Sequence, residues 1–150
     1  MDEVWSERDT TPANIEAALR KIVSDAIEPF KVRSDCFEVS GPDVPLPPKS
    51  AVTLALAVHE LGTNAAKYGA LSNDSGRVLL HWSATPDRLQ LKWREEGGPP
   101  VRPPTRRGFG SRLIERGLAA ELKGKVVIEF EETGVICSVD APLSAAGSKK

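Results

Sequence analysis

Apolar residues recur at helical spacing in three stretches of the chain. The first begins at Thr11-Pro12, a pair typical of an N-cap and first helical position, and Pro29 stops it. Its apolar positions are Ile15, Leu19, Ile22, Ala26 and Ile27. The second stretch runs from about Pro48 to Gly69 and the third from Leu113 to Leu122, before Gly124. The pattern predicts three helices.

Alternating or short β-rich runs predict five strands between and after these helices. The strands are expected at Cys36–Ser40, Val78–Ser83, Leu89–Trp93, Val126–Glu131 and Val135–Asp140. Turns at residues 85–88 and 132–134 join the second strand to the third and the fourth to the fifth. The order is helix, strand, helix, two strands, helix, two strands, without βαβ alternation. It predicts an α+β fold in two layers, a sheet covered by helices on one face.

The middle helix is apolar nearly all round until His59, so we expect it to be buried with its polar end reaching a cavity. Glu60, Asn64, Lys67 and Tyr68 stand at i, i+4, i+7 and i+8 and therefore share one face. Carboxylate and amide oxygens suit magnesium, and an ammonium one turn on can offset phosphate charge. A polar stripe on a helix is more often solvated surface, but this one lies on a helix otherwise too apolar to be exposed.

Glycine and proline mark two loops. Eight of the 12 prolines fall in 41–48 and 99–104, and the second loop, from Gly97 to Gly110, is long for a compact domain. From residue 99 to 116 the chain carries five arginines and one acid. Before this loop, Glu95 and the pair Gly97-Gly98 follow a strand, where an acid can accept from an exocyclic amine and glycines let a ligand approach. A simple turn is the alternative.

The loop ends in Gly108-Phe-Gly110-Ser111 at the start of the third helix. Backbone N–H groups at a helix N-terminus favour phosphate. The known nucleotide motifs are absent, because there is no GxxxxGK[ST] and Leu113 stands where a dinucleotide fingerprint needs a small residue. His59 and His81 form neither an HExxH pair nor a convincing triad.

Composition bounds the remaining possibilities. The chain has 150 residues, 40% hydrophobic, with a formal net charge of −1, so we expect one domain and no nucleic-acid partner. The longest apolar run, Leu54–Val58, is too short to span a bilayer, and the acidic N-terminus is unlike a signal peptide. We therefore expect a cytoplasmic location without membrane contact. Cys36 and Cys137 are expected to be reduced and without a role in chemistry.

The order of these features resembles the ATP-binding boxes of the GHKL superfamily, which includes histidine kinases, gyrase and chaperone ATPases. His59-Glu60, the run from Asn64 to Ser72, and Trp93-x-Glu95-x-Gly-Gly-Pro narrow the resemblance to the HWE subfamily of bacterial sensor histidine kinases. The resemblance covers about residues 41–143. It implies the Bergerat-type GHKL fold, with a mixed sheet, and the cofactors ATP and Mg²⁺.

The resemblance also implies a role for each matching residue. Asn64 would coordinate magnesium, Glu60 would hold a water, Lys67 would face phosphate and Tyr68 would lie near the adenine. Glu95 would accept from the adenine amine. A last group would shape or close the nucleotide site through backbone or lid contacts: Gly97, Gly98, Arg107, Gly108, Gly110 and Ser111.

The sequence departs from the family in one respect, because it has no acceptor-histidine box. The resemblance then implies a catalytic ATP-binding domain at 31–143, with 1–30 as the remnant of a connection to a dimerisation and phosphoacceptor domain and 144–150 as a tail. The implied partners are that domain and a downstream response regulator. The isolated domain is expected to be monomeric and the parent kinase a homodimer.

Two alternatives remain open from the sequence. The same fold could serve a serine/threonine kinase of the anti-sigma-factor type, although the Trp-x-Glu pattern argues against it. The chain could also be a non-catalytic nucleotide-binding module that regulates by contact.

Overall fold

A computed structural model of the chain describes residues 17–101 and 113–143. Within them lie strands β1 (Ala17–Ala18), β2 (Phe37–Ser40), β3 (Pro45–Leu46), β4 (Arg77–Thr85), β5 (Arg88–Glu96), β6 (Lys125–Glu131) and β7 (Gly134–Pro142). The helices are α1 (Leu19–Ile27), with a 3₁₀ turn at Glu28–Phe30, α2 (Pro48–Tyr68), and α3 (Ala119–Leu122), preceded by a π-helical turn at Leu113–Leu118.

The main sheet has five strands in the order β2-β4-β5-β7-β6. β2 pairs with β4 in parallel, and the other neighbours are antiparallel. The fold is therefore α+β with a mixed sheet, as predicted. The parallel pair makes β2–α2–β4 a single βαβ crossover, which the expectation of no βαβ alternation missed.

Alternation along the strands separates the two faces of the sheet. On β4, Val78, Leu80 and Trp82 are buried, and on β5 so are Leu89, Leu91 and Trp93. The residues between them lie on the outer face, where Arg77 pairs with Glu38 and Glu96, and Arg88 pairs with Asp140. These ion pairs are exposed, so they add little to stability. The helices cover the buried face and complete the core there.

The first helix begins later than the sequence pattern predicts. Ala17–Ala18 is extended and pairs with Pro45–Leu46, and the backbone N–H of Leu19 donates to the carbonyl of Val44. A helix continuous from Thr11 is therefore wrong at these two residues, because pairing with β3 takes their backbone groups. α1 packs against α2 and buries Leu19, Ile22, Val23 and Ile27 in the same core as the sheet.

The middle helix is confirmed in its bounds but not in its complete burial. Leu54, Val58 and Leu61 are buried, whereas Val52 is 60% exposed and Leu56 is 54% exposed. The expectation of a helix buried all round is wrong there, because the sheet lies on one side of α2 only. None of the described helices is long and apolar enough to cross a membrane.

The core predicts a large difference between two adjacent leucines of β4. Leu80 is fully buried on the helix-facing side, whereas Leu79 is half-buried on the outer face. Leu80→Ala should lower the free energy of unfolding by about 2–5 kcal/mol, because a cavity remains in the core. Leu79→Ala is the matched control and should cost about 1 kcal/mol. Urea denaturation measures both, and equal losses would contradict this assignment of the faces.

Candidate functional site

The C-terminal half of α2 presents the polar stripe that the sequence predicted. Glu60 and Asn64, one helical turn apart, are half-buried. Lys67 and Tyr68 lie at the end of the helix and are exposed, Tyr68 by 72%. The four side chains are thus brought to one face and one end of α2, with Glu60 and Asn64 in the more sheltered positions.

The backbone leaves the helix at Gly69 and folds back on it. The N–H groups of Gly69 and Leu71 both donate to the carbonyl of Ala65. Gly69 also lies directly beside Glu95, since a Cβ at this position would collide with Oε1 of that carboxylate. Glycine is therefore needed at the end of α2 so that β5 can bring its carboxylate to the turn.

Glu95 is the only carboxylate among the described residues that is buried, with 4% of its surface exposed. Its Oε1 accepts from the backbone N–H of Ala70 at 3.0 Å, and its Oε2 accepts from the indole N–H of Trp93 at 2.9 Å. The side chain that the sequence assigned to the ligand is therefore also bonded to the protein. It ties the turn after α2 to the central strand of the sheet.

Burial raises the pKa of Glu95 above its ordinary value of 4.5, and the hydrogen bonds from Trp93 and Ala70 oppose this by lowering it. No described cation pairs with this carboxylate. Its charge is thus stabilised by two neutral donors. Each oxygen accepts one hydrogen bond and can accept a second.

The glycines after β5 fit closely against the same turn. Gly97 has φ +76°, in the left-handed region that favours glycine. A Cβ on Gly98 would lie 2.6 Å from Cα of Ala70. Both glycines therefore let the backbone after β5 lie close to the backbone after α2. The sequence predicted only that these glycines let a ligand approach.

Residues 72–76 form a loop that the sequence analysis did not assign to the site. Oδ1 of Asn73 accepts from the backbone N–H groups of Ser75 and Gly76, and the Asn73 amide and Ser75 hydroxyl both donate to the carbonyl of Gly97. Arg33 donates to the carbonyls of Asn73 and Gly76. Asn-Asp-Ser-Gly was a readable turn signal, but nothing in the sequence pointed to Arg33 as its partner.

The arginine-rich loop begins at a fixed point. The N–H of Val101 donates to the carbonyl of Glu132 in the β6–β7 turn at 3.0 Å. The predicted contributors Arg107, Gly108, Gly110 and Ser111 lie outside the described residues. The π-helical turn and α3 replace the regular helix expected from Leu113. Lys123, which follows α3 as its C-cap, is in the left-handed conformation.

Each histidine has a partner outside the polar stripe. The ring of His59 packs edge-on against Phe30 with centroids 5.2 Å apart. His81 lies on the outer face of the sheet, where its Nε2 is 2.9 Å from Oε2 of Glu38. Cys137 is buried, and burial together with the charge of Glu115 raises the pKa of its thiol to about 12, which fits the expectation of an unreactive cysteine.

A shallow groove of about 320 Å³ lies between α2 and the π-helical turn with α3. It is lined by Thr53, Leu56, Ala57, Gly117, Ala120 and Glu121. The groove adjoins the apolar half of α2, so it is not the cavity that we expected at the polar end of the helix.

The described residues contain no group of three or more His, Cys, Asp or Glu side chains that could hold a metal ion. A fully protein-liganded metal site is thus not present among them. Magnesium can also bind to one or two protein oxygens and complete its coordination shell with phosphate and water, and Asn64 and Glu60 fit this kind of site. Neither side chain has a hydrogen-bond partner within the described part of the chain, so both are available for this.

Comparison with known proteins finds that the chain is similar to histidine kinases. It is 39% identical over 133 residues to the blue-light-activated histidine kinases of Brucella ovis and Brucella canis. The match covers 85% of this chain and 27% of those proteins, so the chain spans about a quarter of the length of the curated relatives it matches. No family model matches the chain.

Solved structures of histidine kinases are similar to this chain in fold. The histidine kinase domain of the Erythrobacter litoralis blue-light-activated histidine kinase has a TM-score of 0.65 at 26% identity, covering 85% of this chain and 60% of that one. The catalytic domain of histidine kinase ThkA has a TM-score of 0.62 at 17% identity, covering 85% and 93%. A structure of ThkA in complex with the response regulator TrrA, at 16% identity, also has a TM-score of 0.62, covering 85% of this chain and 41% of that one.

The buried carboxylate predicts a pH-dependent stability. Because burial raises the pKa of Glu95, the folded chain holds this proton more tightly than the unfolded chain does. The resulting stabilisation is complete below pH 4.5 and is lost as the pH rises through the folded-state pKa. Glu95→Gln has no such proton, so the wild type should lose free energy of unfolding relative to this variant as the pH rises above 4.5.

Urea denaturation of both proteins at a series of pH values from about 4 upward measures this difference. Glu96→Gln is the control, since it removes the neighbouring carboxylate on the outer face. A constant difference between wild type and Glu95→Gln, or the same trend in Glu96→Gln, would contradict the effect of burial.

Proposed function

We propose that this chain, which belongs to the histidine kinase family as a catalytic domain, binds ATP with Mg²⁺ and donates the γ-phosphoryl group to a histidine on a separate dimerisation segment. The family membership confirms the resemblance carried by its motifs. The observation that carries this proposal is the turn at Gly69–Ala70, which brings the Asn64 face of α2 and the carboxylate of Glu95 to the same end of the helix.

Each candidate site residue in the described part of the chain has a chemical task in this proposal. Asn64 supplies an amide oxygen to the metal, which when bound neutralises charge on the phosphates, and Glu60 orients a water. The ammonium of Lys67 faces phosphate, and the exposed ring of Tyr68 is free to lie against the adenine. One of the open lone pairs of Glu95 accepts from the adenine amine, beside Gly97 and Gly98.

The residues outside the described part complete the proposed site. Gly108, Gly110 and Ser111 would offer backbone N–H groups to the phosphates at the start of the following helix. Arg107 and the rest of the loop after Val101 would cover them. Phosphoryl transfer depends on positioning and charge neutralisation more than on covalent help from the protein, and these residue types supply both.

The parent protein enters the proposal as the source of the acceptor. We propose that residues before α1 lead to a dimerisation and phosphoacceptor domain, that the parent is a homodimer in the cytoplasm, and that a response regulator receives the phosphoryl group. The chain's own histidines do not fit the acceptor role, because His59 packs on Phe30 and His81 lies on the far face of the sheet.

Metal-dependent ATP binding tests the assignment of Asn64. Asn64→Ala should weaken ATP binding in the presence of Mg²⁺ by about tenfold or more, because the metal loses a protein ligand, while the thermal midpoint changes little. Thr63→Ala is the matched control, since the Thr63 hydroxyl donates to the carbonyl of His59 within the same helix. Isothermal titration calorimetry with and without Mg²⁺ measures the effect, and unchanged binding in Asn64→Ala would overturn the metal assignment.

Incubation with labelled ATP tests the proposed division of labour. The full chain alone should remain unlabelled, and an added dimerisation segment from a blue-light-activated histidine kinase should acquire acid-labile phosphate slowly, because no tether raises its effective concentration. Acid-stable phosphate on a protein substrate would favour the serine/threonine kinase alternative. The absence of ATP binding in calorimetry would favour the non-catalytic alternative.

A further inference from the structure

We propose that Trp93 is a positioning residue for base recognition, whose indole N–H holds Oε2 of Glu95 so that this carboxylate selects an adenine over a guanine nucleotide. The inference rests on the proposed function, since it requires that Glu95 contacts the base. It adds a residue that does not itself touch the nucleotide.

The first step is the shared face of β5. Trp93 and Glu95 are two positions apart on this strand, so both side chains point towards the helices. The indole is completely buried and the carboxylate nearly so. Their bond of 2.9 Å therefore lies in the buried layer between the sheet and the helices. The ring of Phe37 contacts the indole edge-on from β2 with centroids 6.0 Å apart, which helps to fix the plane of the N–H.

The second step concerns the charge of the carboxylate. A buried carboxylate is costly unless donors satisfy it. Trp93 provides one of the two donors of Glu95, and the backbone of Ala70 provides the other. Because the Ala70 donor belongs to the main chain, Trp93 is the one side chain in the described part of the chain that donates to this carboxylate. Its loss leaves Oε2 without a donor and favours the protonated or rotated group.

The third step is selectivity. An ionised carboxylate accepts from the exocyclic amine of adenine but repels the carbonyl oxygen that guanine carries at the corresponding position. A site built on a hydrogen bond discriminates against analogues that leave its polar group unpaired. If the N–H of Trp93 keeps Glu95 ionised and in place, removing that N–H reduces the preference for ATP over GTP.

The chain contains an internal control for this role. Trp82 is also buried on the helix-facing side of the sheet, and its indole N–H donates at 2.6 Å to the carbonyl of Pro42. Its ring packs against Gly41, so this tryptophan anchors the loop before β3. The two indoles share burial and sheet face but differ in acceptor, a carbonyl for Trp82 and a carboxylate for Trp93.

The experiment compares Trp93→Phe, Trp82→Phe, Glu95→Gln and the double variant Trp93→Phe/Glu95→Gln in the full chain. Calorimetry with Mg²⁺ gives the dissociation constants of ATP and GTP. Trp93→Phe should weaken ATP binding about tenfold and GTP binding much less, as should Glu95→Gln. Trp82→Phe should leave the ATP-to-GTP ratio unchanged. In the Glu95→Gln background, Trp93→Phe should not change the ratio further.

A second measurement uses the wild-type fold, in case Trp93→Phe does not fold. The chain has three tryptophans, so ¹⁵N-labelled indole N–H signals can be assigned by elimination with Trp82→Phe and Trp5→Phe. The Trp93 signal should move more on saturation with ATP than with GTP, and the Trp82 signal should move with neither. Equal movement of the Trp93 signal with both nucleotides would overturn the proposal.

The outcomes distinguish a failure of the positioning role of Trp93 from a failure of the proposed function. If Glu95→Gln lowers the ATP-to-GTP ratio and Trp93→Phe does not, the positioning role is wrong and base recognition by Glu95 stands. If Trp93→Phe weakens both nucleotides equally, Trp93 has only a structural role. If Glu95→Gln also leaves the ratio unchanged, base recognition by Glu95 fails, and the positioning role fails with it. Metal-dependent ATP binding through Asn64 is then still judged by its own variant.

Discussion

The structure depends on one buried carboxylate that no cation of residues 17–101 or 113–143 neutralises. Glu95 accepts one N–H from the turn after α2 and one from its own strand, and these two bonds join the helical layer to the centre of the sheet. The glycines around it follow from that placement. Gly69 makes room for Oε1, and Gly98 lets the chain after β5 lie against Ala70. The helix that carries Asn64 thereby ends at a fixed position relative to β5.

In the proposed function, this arrangement would let one carboxylate serve both the structure and a ligand. Two neutral donors are enough to keep the side chain in place but leave each oxygen an open lone pair. A lysine or arginine side chain in place of the two neutral donors would have stabilised the carboxylate charge more strongly, but it would also have occupied these lone pairs. Arg33 also holds the loop of residues 72–76, and Asn73 and Ser75 of that loop donate to the carbonyl of Gly97.

The sequence predicted much of the fold because its signals were local. Helical spacing and the bounding Pro48 and Gly69 defined α2, and alternation defined the four antiparallel strands. The pairing of Ala17–Ala18 with Pro45–Leu46 was missed because two-residue strands have no period to detect. The stripe from Glu60 to Tyr68 was predictable from spacing alone. The bonds of Glu95 to Ala70 and of Arg33 to the 72–76 loop were not, since long-range partners leave no trace in a single sequence.

The strand order has a consequence for how the chain is made on the ribosome. β5 is central in the finished sheet, yet its second neighbour is β7, which is synthesised after the other described strands. Until β7 emerges, the β4–β5 hairpin presents an open edge that could pair with another nascent chain. The alternate side chains of β5 at Arg88, Lys92 and Arg94 are basic and exposed, so pairing of two such edges would bring like charges together on one face.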